Sequence, residues 1–233
     1  RGKLPMKKLL IVVDYQNDFV SGSLGFEAAK RIEDAVCEKI RAYQAAGDDV
    51  VYTLDTHGPS YAGTQEGRKL PVAHCLRGTT GWELYGRAAE LLRGCPAFEK
   101  PVFGSAALFD WLRGREYAGI ELCGVVSNIC VLSNAVLART ALPEAEIVVD
   151  AACVASADPL LNREALDVLA GLQATILHLP QGAVSLSEGG RTLYCRSHNK
   201  IKRSQNPRSG SKTGAGFSNV RLSRRNGQRC HLD

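Results

Sequence analysis

The chain has 233 residues, 45% of them hydrophobic, with 29 Lys and Arg against 24 Asp and Glu and a formal net charge of +5. That length suits one well-buried α/β domain, and the positive surplus is confined to one end: from residue 183 onward there are 11 Lys and Arg against 2 Asp and Glu, leaving 18 against 22 before it. A body of net −4 argues against nucleic acid as the partner of the domain itself, and the apolar run at 9–13, closed by Asp14, is far too short for a membrane span or a signal-peptide core.

In chain order, Met6-Lys7-Lys8 reads as a natural start, so residues 1–5 are set aside as an N-terminal extension. The run at 8–13 predicts a buried strand, and Ile32, Val36, Ile40 and Tyr43 recur at helical spacing through 27–46 until Gly47 stops the helix. A second strand follows at 50–54, then helices at 84–92 and 106–112, a strand at 120–126, a helix at 130–141, a strand at 146–149, a helix at 159–170 and a strand at 174–179. Strands alternating with helices imply a Rossmann-like three-layer α/β fold, a parallel sheet of five or six strands with helices on both faces. Residues 6–182 form that domain, with 56–82 as a long Gly, Pro and Thr-rich loop of the kind that usually carries function. Residues 183–233 are basic, rich in Ser and Gly and poor in aliphatics, and read as a disordered tail; that tail is the one segment where a nucleic-acid contact is conceivable.

Eight cysteines (37, 75, 95, 123, 130, 153, 195 and 230) are scattered without compact spacing, which fits a reducing, cytoplasmic setting better than a disulfide framework. Cys130 stands apart, because strand 120–126 gives way through Ser127-Asn128-Ile129 to a helical run that begins at this thiol. Free amides at a helix N-terminus favour thiolate and can receive an oxyanion. Asp14 and Lys100 are strand-end charges that could complete an acyl-transfer site. Asp55 and His57 lie two apart after strand 50–54 and point the same way, and Glu66 and His74 follow in the same loop. Such a mixed N/O set suits zinc, manganese or iron. The first strand ends without Gly-x-Gly-x-x-Gly, so no nucleotide cofactor is expected.

The segments Val13-Asp-Tyr-Gln-Asn-Asp-Phe19, Glu99-Lys-Pro-Val-Phe103 and Gly124-Val-Val-Ser-Asn-Ile-Cys130 resemble the isochorismatase-like cysteine hydrolases, over residues 6–180. The resemblance implies a triad of Asp14, Lys100 and Cys130, an oxyanion hole from the amides of Val126 and Cys130, and a cis peptide bond at Val125-Val126. The Asp-x-His pair with later Glu and His resembles the nicotinamidase branch, which implies one divalent ion, zinc foremost, on Asp55, His57, Glu66 and His74. The implied reaction converts nicotinamide to nicotinate and ammonia through a thioester, in NAD salvage. Phe19 and Phe103 match positions that flank the substrate ring in that branch, whereas Leu70-Pro71 stand where an aromatic often precedes the metal histidine, making one wall aliphatic. Relatives also imply a homo-oligomer. The alternatives are a family hydrolase of another small amide, carbamoyl or ureide compound, and a non-catalytic binding domain.

Overall fold

The computed structural model describes residues 6–179, together with the backbone of two further strands, Val184–Glu188 and Arg191–Cys195. The first body is built on a six-stranded sheet of β1 (Lys8–Val13), β2 (Asp49–Asp55), β3 (Ala97–Lys100), β4 (Gly119–Val125), β5 (Glu146–Ala155) and β6 (Thr175–Leu177), in the order β3-β2-β1-β4-β5-β6. Every neighbouring pair is parallel. The remaining two strands, β7 (Val184–Glu188) and β8 (Arg191–Cys195), pair antiparallel with each other. Both strands fall within the segment expected as a disordered tail, 183–233; its remainder from residue 196 onward lies outside the described residues, as do residues 1–5.

The helices of the first body are α1 (Asn17–Val20), α2 (Glu27–Arg31), α3 (Glu33–Ala46), α4 (Gln65–Lys69), α5 (Gly86–Leu91), α6 (Ala106–Leu112), α7 (Leu132–Ala141) and α8 (Pro159–Gly171). They cover both faces of the sheet. Alternate residues of β1 enter separate cores: Leu9, Ile11 and Val13 pack with residues of α6, α7 and α8, while Leu10 and Val12 pack with Ala29, Val36, Ile40 and Ala88 from α2, α3 and α5. This two-sided burial explains why β1 is a continuous apolar run rather than an alternating one. It also places a row of strand carboxyl ends together, the usual ligand site of such sheets.

Three elements depart from expectation. The single helix at 27–46 divides at Ile32, whose φ of −84° and ψ of −1° close α2 and open α3 while its side chain packs on the core. The loop at 56–82 is partly structured, holding α4 and short 3₁₀ turns at Tyr61–Gly63 and Thr80–Trp82. The helical run expected to start at Cys130 begins earlier, in a π turn over Ser127–Val131 that leads into α7. Val126 O accepts from both Ile129 N and Val131 N at 3.1 Å, so the wider turn skips the amide of Cys130. Such turns recur at functional sites. The peptide bond Val125-Val126 is cis.

Gly124 has a φ of 104°, and a β-carbon there would sit 2.1 Å from Val13 O. Only glycine lets β4 run this close to β1 just before the turn. No described helix is long and apolar enough to cross a membrane.

Candidate active site

Four adjacent strands each deliver one reactive side chain at the same edge of the sheet. Asp14 follows β1, Asp55 ends β2, Lys100 ends β3 in register with Asp55, and Cys130 lies just past β4. Asp14 leaves its strand with a φ of 46°, a left-handed conformation that aspartate tolerates better than most residues. All four side chains are buried.

The three residues expected to form a triad meet. Lys100 Nζ lies 2.7 Å from Asp14 Oδ2 and 3.6 Å from Cys130 Sγ, and it donates to Asp55 Oδ1 at 3.1 Å. The contact with Asp14 Oδ2 is ionic rather than a well-angled hydrogen bond, and this oxygen has no other described hydrogen-bond donor. Asp14 Oδ1 instead accepts from Thr53 Oγ1 at 2.6 Å, which fixes the carboxylate plane. Burial pushes the Cys130 thiol well above its usual range, Asp14 adds to the rise, and Lys100 opposes it. Burial also raises Asp14, outweighing the lowering by Lys100. For Lys100 burial acts downward, but Asp14, Cys130 and Asp55 together hold it above the ordinary lysine range. Burial thus raises the proton affinity of both the thiol and the carboxylate beside it, and Lys100 opposes the rise in each.

Next to this trio, the four residues expected to hold a metal come together, with one ligand atom from each lying within 4.8 Å of the others. Asp55 Oδ2 is 3.0 Å from His57 Nε2 and 3.4 Å from His74 Nε2, while Glu66 Oε1 is 3.9 and 3.8 Å from the same two nitrogens. His74 Nδ1 lies 2.8 Å from Val72 O, a bond that directs Nε2 toward the cluster. Burial would raise Asp55, but hydrogen bonds from both imidazoles, together with Lys100, hold it well below the carboxylate range. Two imidazoles and two carboxylates converging in a mostly buried pocket fit a divalent transition ion.

Sequence reasoning passed over several residues that hold this arrangement. Gln16 grips the end of β2 twice, donating to Asp55 O at 2.9 Å and accepting from Asp55 N at 2.8 Å, and it donates also to Trp82 O at 2.7 Å. Asp18 accepts from Cys75 N at 2.7 Å, so Cys75 serves as a backbone anchor outside the cation cluster. Asn134, one helical turn after Cys130, donates to Cys130 O at 2.8 Å and Phe103 O at 3.1 Å and accepts from Ser105 N at 3.0 Å. Tyr61 adds an aromatic ring beside the two histidines. Its buried ring lies 4.7 Å from that of His57 and 5.0 Å from that of His74, and its hydroxyl donates to Leu70 O at 2.8 Å. Gly67 makes room for this packing, since a β-carbon there would sit 2.1 Å from Tyr61 O. Of the two expected ring-flanking residues, Phe19 is buried with its ring 5.5 Å from His74, whereas Phe103 is 44% exposed.

A parallel sheet with a thiol, a carboxylate and an ammonium gathered at its strand ends belongs to the cysteine-hydrolase class. The family model described as the isochorismatase domain matches residues 8–181, and the chain belongs to that family. Among solved structures it is similar to nicotinamidase/pyrazinamidase PncA from Bacillus subtilis, at 34% identity and a TM-score of 0.68, covering 74% of this chain and 100% of that one. It is also similar to the pyrazinamidase of Pyrococcus horikoshii in complex with zinc, at 26% identity and a TM-score of 0.65, covering 74% and 99%. A curated relative, the nicotinamidase/pyrazinamidase of Mycobacterium tuberculosis, is 28% identical over 143 residues, 55% of this chain and 76% of that protein.

Proposed function

We propose that this isochorismatase-family hydrolase is a metal-dependent nicotinamidase, releasing nicotinate and ammonia from nicotinamide in NAD salvage. The observation that carries the reading is one crevice in which Lys100 Nζ touches both Asp14 and Asp55, joining a thiol site to a four-donor cation site. The relatives named for nicotinamide and pyrazinamide support the substrate class, and the zinc-bound relative supports zinc as the ion. Six described cysteines, all free, support a reducing, cytoplasmic setting.

In this mechanism Asp14 takes the proton of Cys130 as sulfur attacks the carboxamide carbon, and Lys100 offsets the negative charge that develops on sulfur. The amides of Val126 and Cys130 receive the oxyanion. Asp14 then returns its proton to the departing nitrogen, which leaves as ammonia, and a thioester remains. The same carboxylate takes a proton from water as the water oxygen adds to the thioester carbon. Collapse releases the carboxylic acid, and the proton returns to sulfur. Asp55, His57, Glu66 and His74 would hold the ion, which when bound supplies a seat for a ring nitrogen. Phe19 and Tyr61 bring aromatic faces to the His74 side of that seat, and Phe103 lines its open side.

The test is ammonia release from nicotinamide, pyrazinamide, aliphatic amides and carbamoyl compounds by metal-loaded, chelator-stripped and Cys130→Ala protein. Turnover of the two aromatic amides that disappears in the stripped protein, returns with zinc and falls at least about a thousandfold in Cys130→Ala is expected. Full activity in verified metal-free protein removes the ion from the proposal. Preference for a carbamoyl substrate replaces nicotinamide with another family amide.

A further inference from the structure

Two networks that lie far apart in the sequence meet in one side chain. Asp55 turns Oδ2 to the two imidazoles, at 3.0 and 3.4 Å, and Oδ1 to the Lys100 ammonium, at 3.1 Å. That ammonium is the group 3.6 Å from Cys130 Sγ. We infer that Asp55 is a coupling residue, through which filling of the ion site raises the nucleophilicity of Cys130. The inference rests on the ion reading above and goes beyond it, because there the ion only positions the substrate.

The argument is electrostatic. With their carboxyl groups ionised, Asp14, Asp55, Glu66 and Lys100 carry a net charge of −2, all within the two linked networks. Lys100 is shared by two carboxylates, so little of its field is left to favour a thiolate. A divalent ion seated against Asp55 Oδ2 brings the net charge to zero and draws on the carboxylate that competes for Lys100. The ammonium then acts more fully on sulfur. Because Asp14, Asp55 and Lys100 are nearly inaccessible to solvent, with Lys100 at 1% and Asp14 at 0% exposure, screening along the path from the ion site to sulfur is weak. The consequence is a nucleophile that stays quiet until the substrate-positioning ion is in place.

The test needs no substrate. The full chain is stripped with a chelator, zinc is titrated back against a chromophoric chelator to follow binding, and carbamidomethylation of Cys130 by the neutral reagent iodoacetamide is followed by peptide mass spectrometry. If the thiol's proton affinity falls about tenfold and part of that gain is offset by lower intrinsic nucleophilicity, the rate at neutral pH rises about threefold at saturation. The rise should track zinc occupancy, and the midpoint of the rate-against-pH profile should move to lower pH. His74→Ala, which keeps Asp55 and Lys100 but removes one imidazole, should show no rise at the same zinc concentration. Zinc that binds without changing the rate, that slows it, or that raises it with an unmoved midpoint overturns the coupling and leaves the proposed function standing. Failure of zinc to bind overturns both.

Discussion

Among the described residues, two clusters set one lysine against two buried carboxylates, and they differ in where they sit along the strands. Lys100 meets Asp14 and Asp55 at the strand ends. Lys39, on α3, meets Glu121 and Asp150 in the bodies of β4 and β5, at 2.7 and 2.9 Å. In the second cluster the carboxylates have further partners that are not reactive: Tyr43 donates to Glu121 Oε2 at 2.8 Å, and Ala152 N donates to Asp150 Oδ1 at 2.9 Å, beside His178. In the first, the lysine's remaining neighbour is a thiol. A buried ion pair alone therefore says little about chemistry. Its position at a strand terminus, where loops can admit a substrate, is what separates a reactive cluster from a fastening one.

The sharpest way to break this comparison is to remove each lysine. Lys100→Met should abolish amide hydrolysis and cost about 3–5 kcal/mol of stability by chemical denaturation, because the fully buried Asp14 carboxylate loses the one ammonium paired with it among the described residues. Lys39→Met should cost about 1.5–3 kcal/mol, since Tyr43 and a backbone amide still serve the carboxylates, and turnover should be kept. Equal loss of activity in both variants would erase the distinction.

Acid titration sharpens it. Burial would raise Asp150, but hydrogen bonds from Lys39, the Ala152 amide and His178 hold it below its ordinary value. A group depressed in the folded state contributes stability that is present above its unfolded pKa and lost as pH falls through the folded one. Denaturant midpoints should therefore drop progressively below about pH 4, and Asp150→Asn should flatten that drop while leaving turnover at neutral pH unchanged. The smallest effect belongs to Phe103→Ala: in its proposed place beside the substrate ring, this exposed side chain should contribute about 0.5–1.5 kcal/mol, so its loss should raise KM for an aromatic amide severalfold with kcat nearly constant. Unchanged kinetics would assign Phe103 to the surface alone.

Much of this was legible in the chain because its signals are local. β1 has the bounds read from its apolar run, since burial on both faces writes a strand as uninterrupted Leu, Ile and Val. Asp14, Lys100 and Cys130 were legible together because each lies in a distinctive short segment. β3 was less so: of Ala97-Phe-Glu-Lys100 only the lysine is fully buried, and the strand exists through its pairing with β2. Tyr61 left no local trace, because its contacts with His57 and His74 arise only when the loop closes. Thr53 and Asn134 did leave weak ones, a polar residue two before Asp55 in an apolar strand and an amide one helical turn after Cys130. Their roles emerge only from the partners that folding brings across the sheet.

The seating of the 56–82 loop has a consequence for how the proposed site divides its work. Cys130 and Asp14 stand at the strand ends, while His57, Glu66, His74 and Tyr61 all belong to one excursion between β2 and α5. Gln16 and Asp18, just past the base, tether that excursion at Trp82 and Cys75. On the proposed reading recognition rests mainly on this excursion and bond cleavage on the strand ends, and Asp55, which faces both His57 and Lys100, is the joint between them.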